Sequence, residues 1–192
     1  MIAAVVLAAG SGSRFGGGAK QLAELDGIPL LEHALRAVEA VPAIDRIVVV
    51  LGARAEEIRA GVDFGAAEVV VCEDWADGQA ASLRRGIEAV ANADAAVLTL
   101  GDMPRITPEV IDAFAGLAAV YGSNVRARAI YDGMPGHPVV LGSAYFPRIA
   151  ALTGDVGARG VLKQIGAHPI ECSHLCSAAD VDTPEALEEL RG

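Results

Sequence analysis

The residue types best suited to chemistry gather first in the run LAAGSGSRFG, residues 7–16, which is followed by further glycines and then by Lys20. Backbone that lacks Cβ atoms can turn tightly and bring several N–H groups to bear on one anion. Arg14 and Lys20 supply the positive charge that a phosphate chain would require. The run is not a Walker A loop, because Lys20 lacks the preceding glycine and the following Ser or Thr, and it does not have the spacing G-x-G-x-x-G. The plain alternative is a surface turn carrying two solvated cations.

Two carboxylates complete the set. Asp102 lies in GDMP, directly after an apolar run, where ligands sit at the C-terminal ends of strands in open α/β sheets. Asp180 and Asp182 stand two apart in DVDTPEA, on one face if that stretch is extended. Magnesium takes few protein carboxylates and fills its octahedron with phosphate and water, so Asp102 and Asp182 are the expected Mg2+ ligands. Either could instead serve structure alone, Asp102 by forming a turn and Asp182 or Thr183 by capping the last helix.

Positioning these residues calls for a scaffold of alternating strands and helices. Apolar runs rich in Val, Ile and Leu recur at residues 2–8, 46–51, 67–72 and 95–100, with helical patterns at 30–40, 54–60 and 79–90 between them. Strands apolar on both faces fit a mostly parallel sheet covered on each side by helices, a three-layer α/β arrangement. After residue 100 the sequence predicts a helix over 108–120, and then extended stretches at 125–131 and 137–141 joined by the turn DGMPG, a small hairpin insertion. A helix over 156–165, a strand over 168–172 and a closing helix started by Thr183-Pro184 follow.

The 192 residues fit one domain, 1–192, and no apolar run reaches the length that spans a bilayer. The opening MIAAVVLAAG reads as a buried strand rather than a signal peptide, and three cysteines are too few for a disulfide framework; both point to a cytoplasmic location. A net charge of −10 argues against nucleic acid as a partner, and membrane is equally unexpected. His168, Cys172, His174 and Cys176 fall within nine residues, but their spacing is that of no standard zinc site. Trp75 suits either a core anchor or the rim of a binding loop.

In end-to-end order the chain resembles the MobA-like NTP transferases, which attach CMP or GMP to molybdenum cofactor. The likeness rests on LAAGSGSRFG with Lys20, on DWADGQAASL at 74–83, on GDMP, on GHPV at 136–139, on GDVGAR at 154–159 and on DVDTPEA. It implies a Rossmann-like, GT-A-like nucleotidyltransferase fold. It also implies that Leu7, Ala8, Ala9, Gly10, Ser11, Gly12 and Asp102 contact the nucleotide, with Gly78 and Ser82 at the base and ribose. Arg14, Lys20 and Asp102 become the catalytic residues, Asp102 and Asp182 the magnesium ligands, and His137, Asp155 and Arg159 the acceptor side.

The combination of WADGQAASL, GHPVV and GDVGAR is closer to the cytidylyltransferase branch, which implies CTP as donor and a molybdopterin-type cofactor as acceptor, with possible delivery to a molybdoenzyme or its chaperone. GTP is the second choice of nucleotide. Lys20-Gln21-Leu22 and IPLLEH at 28–33 resemble instead the cytidylyltransferase of methylerythritol phosphate, although there the aspartate stands in an Ala-Ala-Arg-Pro context. Transfer to a sugar phosphate and a catalytically silent nucleotide- or cofactor-binding module complete the alternatives.

Overall fold

The computed structural model describes residues 1–16, 18–154, 158–177 and 179–191. The first half alternates strand and helix: β1 (Ile2–Ala8), the two-residue strands β2 (Glu24–Leu25) and β3 (Ile28–Pro29), α1 (Leu30–Glu39), β4 (Arg46–Leu51), α2 (Ala55–Gly61), β5 (Glu68–Val71), α3 (Gln79–Ala89) and β6 (Ala95–Leu100). Then come α4 (Pro108–Tyr121), β7 (Arg126–Tyr131), β8 (Met134–Gly142), α5 (Phe146–Ala150), α6 (Ala158–Ile165), β9 (His168–Glu171) and α7 (Pro184–Arg191). None of the described helices is long and apolar enough to cross a membrane.

Seven strands form one sheet in the order β5-β4-β1-β6-β8-β7-β9. The pairs β5·β4, β4·β1 and β1·β6 are parallel, β8 is antiparallel to both β6 and β7, and β7·β9 is parallel. Only β8 therefore runs against the other six. From β1 the chain builds outward to β4 and β5, then returns to place β6 on the other side of β1. The connection reverses direction between β1 and β6, and such a switch opens a crevice at the C-terminal ends of the two strands.

Alternation along the strands sends side chains to two apolar layers. Ala4, Val6, Val49, Leu51 and Val97 meet Leu31, Leu35 and Val38 of α1 and Ile111 and Phe114 of α4. Val5, Val48, Val50, Leu98 and Val139 meet Leu83 and Ile87 of α3, Ile149 of α5, and Val161 and Leu162 of α6. Burying both faces at roughly 25 cal/mol per Å² is what holds the three layers together. A small third cluster, Leu25, Leu30, Val181 and Leu187, fastens the segment before α7 beside the β2–β3 ribbon.

The expected hairpin forms, with two differences. Its turn is only Asp132-Gly133, with φ of 50° and 78°. Two positive φ values make a tight turn whose twist matches the strands, so pairing starts at once with Tyr131 opposite Met134. The hairpin is also built into the middle of the sheet, because the apolar run of β8 pairs with β6 as well as β7. In the second half of β7, Arg128 pairs with Val139 but Ile130 pairs with Pro135. Gly136, His137 and Pro138 thus bulge from β8 opposite the single residue Ala129.

Helix α6 begins at Ala158 among the described residues, whereas the sequence predicts a start at 156; residues 155–157 lie outside the described set. Strand β9 stops at Glu171, and Cys172 continues into the core.

Candidate active site

Two loops leave the sheet side by side at the β1–β6 switch. Gly101 donates its N–H to the Leu7 carbonyl at 2.9 Å, which keeps the end of β6 against the end of β1. A Cβ at Gly101 would lie 2.7 Å from Leu31 Cδ1 and 2.9 Å from Ala8 Cβ. Only glycine lets the chain pass there, and Asp102 follows immediately.

The loop after β1 turns at Gly12, whose φ of +62° suits glycine, and closes with Phe15 N–H donating to the Gly12 carbonyl at 2.8 Å. It is held from below by Gln21, a buried residue whose amide Nε2 donates to the Ala8 carbonyl at 2.7 Å and the Gly10 carbonyl at 3.3 Å. Gln21 follows Lys20 in a single 3-10 turn, Lys20–Leu22. The turn that presents the lysine therefore also fixes the loop.

Lys20 reaches across the switch. Its ammonium donates to Asp102 Oδ2 and, at 3.1 Å, to Asp182 Oδ1. Arg14 contacts Asp182 Oδ2 at 2.8 Å. Asp182 is delivered by the C-terminal segment, in which Val181 N–H donates to the Asp102 carbonyl at 2.9 Å. Thr183 starts α7 by accepting the Ala186 N–H at 3.2 Å. Thr183 thus caps the helix, which leaves the Asp182 carboxylate to the cations.

The electrostatics follow from this packing. Burial alone would lower the Lys20 pKa, but the Asp102 and Asp182 carboxylates more than reverse that and raise it, so the lysine stays charged. Burial raises the Asp102 pKa despite Lys20, and the neighbouring Asp180 carboxylate adds to the rise. Burial also pushes Asp182 upward, but Lys20 and then Arg14 outweigh it and hold the group below its usual range. Asp102 Oδ1 is buried without a hydrogen-bond partner among the described residues. An acceptor oxygen left open beside a second carboxylate is a donor set suited to a divalent cation with oxygen ligands.

These charges stand at one end of a cleft of about 900 Å³. The cleft is lined by Leu7, Ala9, Gly10, Ser11 and Gly12 of the first loop, by Gly78 and Ser82 at the start of α3, and by Asp102, Asp180 and Asp182. Ala8 is the exception among the expected loop residues: its side chain is buried in the core, and its carbonyl receives Gln21. Trp75 does both things expected of it, since it packs against the α3-side core and also lines the cleft.

The other end of the cleft holds His137, Ala158 and Arg159, together with Arg128 of β7. Tyr131 donates its hydroxyl to the His137 carbonyl at 2.7 Å and so anchors the bulge of β8. Burial, and then the charge of Arg128, lower the His137 pKa to about 4. The imidazole is therefore neutral at pH 7. Asp155, the third residue expected on this side, lies outside the described residues.

Cys172 is fully buried, and Cys176 lies 3.4 Å from the Tyr131 hydroxyl; both belong to the core behind β7. Gln21, Asp180 and Arg128 are the site residues that the sequence left without a role. A buried glutamine beside the lysine was visible only as the dipeptide Lys20-Gln21. Arg128 is one of the less buried positions of a strand that alternates in burial.

Comparison with known proteins agrees with this arrangement. The MobA-like NTP transferase domain profile matches residues 4–170. Nicotine blue oxidoreductase of Paenarthrobacter nicotinovorans is 30% identical over 98% of this chain and 96% of its own. A 2-C-methyl-D-erythritol 4-phosphate cytidylyltransferase of Pelotomaculum thermopropionicum is 35% identical over 68% of this chain and 57% of its own. Among solved structures, Rv0371c of Mycobacterium tuberculosis superposes with a TM-score of 0.83 and 28% identity, covering 99% of this chain and 97% of that one. A structure of Rv0371c in complex with manganese gives 0.77 and 28%, covering 98% and 97%. With its β1–β6 crevice, its glycine-rich loop and a profile match across most of its length, the chain belongs to the MobA-like NTP transferase family.

Proposed function

We propose that the protein transfers CMP from CTP to a molybdopterin-type molybdenum cofactor and releases pyrophosphate. The observation that carries this reading is the joining of Lys20, Arg14, Asp102 and Asp182 across the β1–β6 switch, at one end of a cleft roomy enough for a nucleotide and a second substrate. An acceptor phosphate oxygen attacks the α-phosphorus in line, so the protein's work is alignment and neutralisation of charge. Backbone N–H groups of residues 10–12, with Arg14 and Lys20, hold the triphosphate and take up the charge of the departing pyrophosphate. Gly78 and Ser82 face the base and ribose, while His137 and Arg159 face the acceptor. A phosphate acceptor is ionised at neutral pH, so no side-chain nucleophile or general base is assigned.

Asp102 and Asp182 would hold Mg2+, with the unpartnered Oδ1 of Asp102 as a ligand. When bound, the ion polarises the α-phosphate. Lys20 then exchanges carboxylate for phosphate partners, which its flexible stem allows.

The choice of CTP and of molybdenum cofactor rests on the sequence motifs. The likeness to methylerythritol phosphate cytidylyltransferases supports cytidylyl transfer to that acceptor as the nearest rival. A reading of another class, an oxidoreductase, is favoured by the end-to-end likeness to nicotine blue oxidoreductase. The deciding experiment measures pyrophosphate release with magnesium from CTP, GTP, ATP and UTP, in the presence of molybdenum cofactor or of methylerythritol phosphate. Release that needs CTP and molybdenum cofactor is expected. Release only with methylerythritol phosphate would move the protein to the rival acceptor. Absence of release with either, together with turnover of nicotine blue when an electron donor is supplied, would favour the oxidoreductase.

A further inference from the structure

The acceptor end of the cleft contains a cation, Arg128, that no carboxylate offsets among the described residues. Arg128 pairs with Val139 of β8, which pairs with Leu98 of β6, which pairs with Val5 of β1. Cross-strand neighbours share a face, and Val5, Leu98 and Val139 all lie in the apolar layer on the α3 side. Arg128 therefore rises from the same row as three buried aliphatic residues. Its Nε is buried without a hydrogen-bond partner, and among the described residues neither it nor Arg159 has a carboxylate partner.

Leaving a guanidinium nitrogen buried and unpaired costs stability, because the group has lost its water without gaining a partner. A second positive charge beside it adds to the cost. Burial and the nearby Arg159 both act to lower the pKa of Arg128, although a guanidinium remains protonated at any physiological pH. The adjoining irregularity in β8 displaces Gly136, His137 and Pro138 next to this row, and bulges commonly re-aim groups toward sites. Nothing in the apolar layer profits from the charge. An anion arriving in the cleft would.

We infer that Arg128 and Arg159 form a phosphomonoester subsite at the acceptor end of the cleft, with Arg128 rising from the cleft floor and Arg159 projecting from α6. The inference deepens the proposed function and rests on it only for the word acceptor. From β1, which the glycine-rich loop follows, to β7 is three strand spacings, roughly 15 Å, so this subsite is separate from that loop. Two guanidinium groups match the double charge and the fork geometry of a phosphate dianion. They also favour its fully ionised form, which is the nucleophilic one. The neutral His137 beside them adds a hydrogen-bonding group without adding a third positive charge.

The test uses inorganic phosphate as probe and thermal unfolding as readout, at matched ionic strength. The Lys20→Met background separates this subsite from the loop; wild-type protein saturated with CTP serves if that variant does not fold. Phosphate at ten times its dissociation constant should raise the midpoint by about 4 °C. Adding Arg128→Met or Arg159→Met should abolish the rise, and Arg128→Lys should keep part of it. Without phosphate, Arg128→Met should unfold at a higher temperature than its parent, because a buried unpaired cation has been removed.

No rise in the parent, a rise that survives Arg128→Met, or a lower midpoint for Arg128→Met without phosphate would overturn the inference. Acetate should give less than a tenth of the effect, and an equal effect would overturn the assignment to phosphate in favour of a carboxylate. The readout needs no turnover. No phosphate response in the Lys20→Met parent or in CTP-saturated wild type, together with pyrophosphate release by wild type from CTP and molybdenum cofactor, would sink the subsite alone, whereas the full phosphate response without release by wild type would sink the transfer reading alone.

Discussion

The two ends of the cleft treat charge in opposite ways. At the β1–β6 end, two cations and two carboxylates are joined by contacts of 2.8 Å and 3.1 Å and by the shorter Lys20–Asp102 contact; the carboxylates raise the Lys20 pKa, the cations hold Asp182 below its usual range, and burial raises Asp102. At the β7–β8 end, two arginines and a neutral histidine stand with no carboxylate among the described residues. A self-compensated cluster is ordered before its ligand arrives and must trade partners to bind. A cluster with no carboxylate among the described residues leaves its charge for the ligand to meet. The first arrangement favours precise placement, and the second favours selection for a negatively charged partner.

Breaking the compensated end should have the largest effects. Asp102→Asn should lower the rate of pyrophosphate release by more than about a hundredfold while CTP still binds, weakened, since the lost charge matters most in the transition state. A wild-type rate would remove Asp102 from the mechanism. Lys20→Met strands Asp102 in a buried position, and a urea midpoint should report a loss on the order of 3 kcal/mol. An unchanged midpoint would mean that the ammonium does not offset the burial of the carboxylates.

The uncompensated end should show itself in the pH dependence of stability. His137 titrates near 6.5 when unfolded and at about 4 in the folded protein, so as pH falls through 6.5 the unfolded chain takes up a proton that the native state refuses. Stability from this group is complete above about 6.5 and is lost progressively toward 4, with a slope no steeper than about 1.4 kcal/mol per pH unit. Thermal midpoints measured across that window should flatten in His137→Gln. The smallest change in stability should come from Arg14→Ala. Arg14 is 69% exposed, and its pair should contribute no more than about 1 kcal/mol, yet the KM for CTP should rise severalfold. A large drop in stability would show that Arg14 serves the fold rather than the nucleotide.

The contrast between the ends also explains what could be read from the residues alone. The apolar runs specified β1, β4 and β6 because parallel strands buried on both faces have an unmistakable composition, and the half-exposed edge strand β5 shares their valines. The loop with Arg14 and Lys20, and Asp102 at the end of its strand, were visible because each lies within a few residues of a strand terminus. Their meeting with Asp182 was not implied by local spacing; it rested on the few carboxylates that magnesium takes and on the resemblance. Arg128 and Gln21 were missed for a common reason. Each is ordinary in its own segment, and becomes unusual only when strands far apart in sequence bring apolar or carbonyl neighbours around it. The bulge in β8 likewise depends on register with β7, which no single segment encodes.

The hydrogen bond from Val181 to Asp102 has a consequence in time as well as in space. A ribosome delivers this chain in order, and the nine strands among the described residues end at residue 171. Once residue 171 has left the ribosome the sheet has all its strands, but Lys20 has Asp102 alone and Arg14 has no carboxylate from Asp182. Only when residues 180–187 emerge and seat Val181 and Leu187 against Leu25 and Leu30 does the constellation close. A nascent chain thus acquires its architecture well before its chemistry, and a nick just before residue 180 would be expected to leave the first largely standing while removing the second.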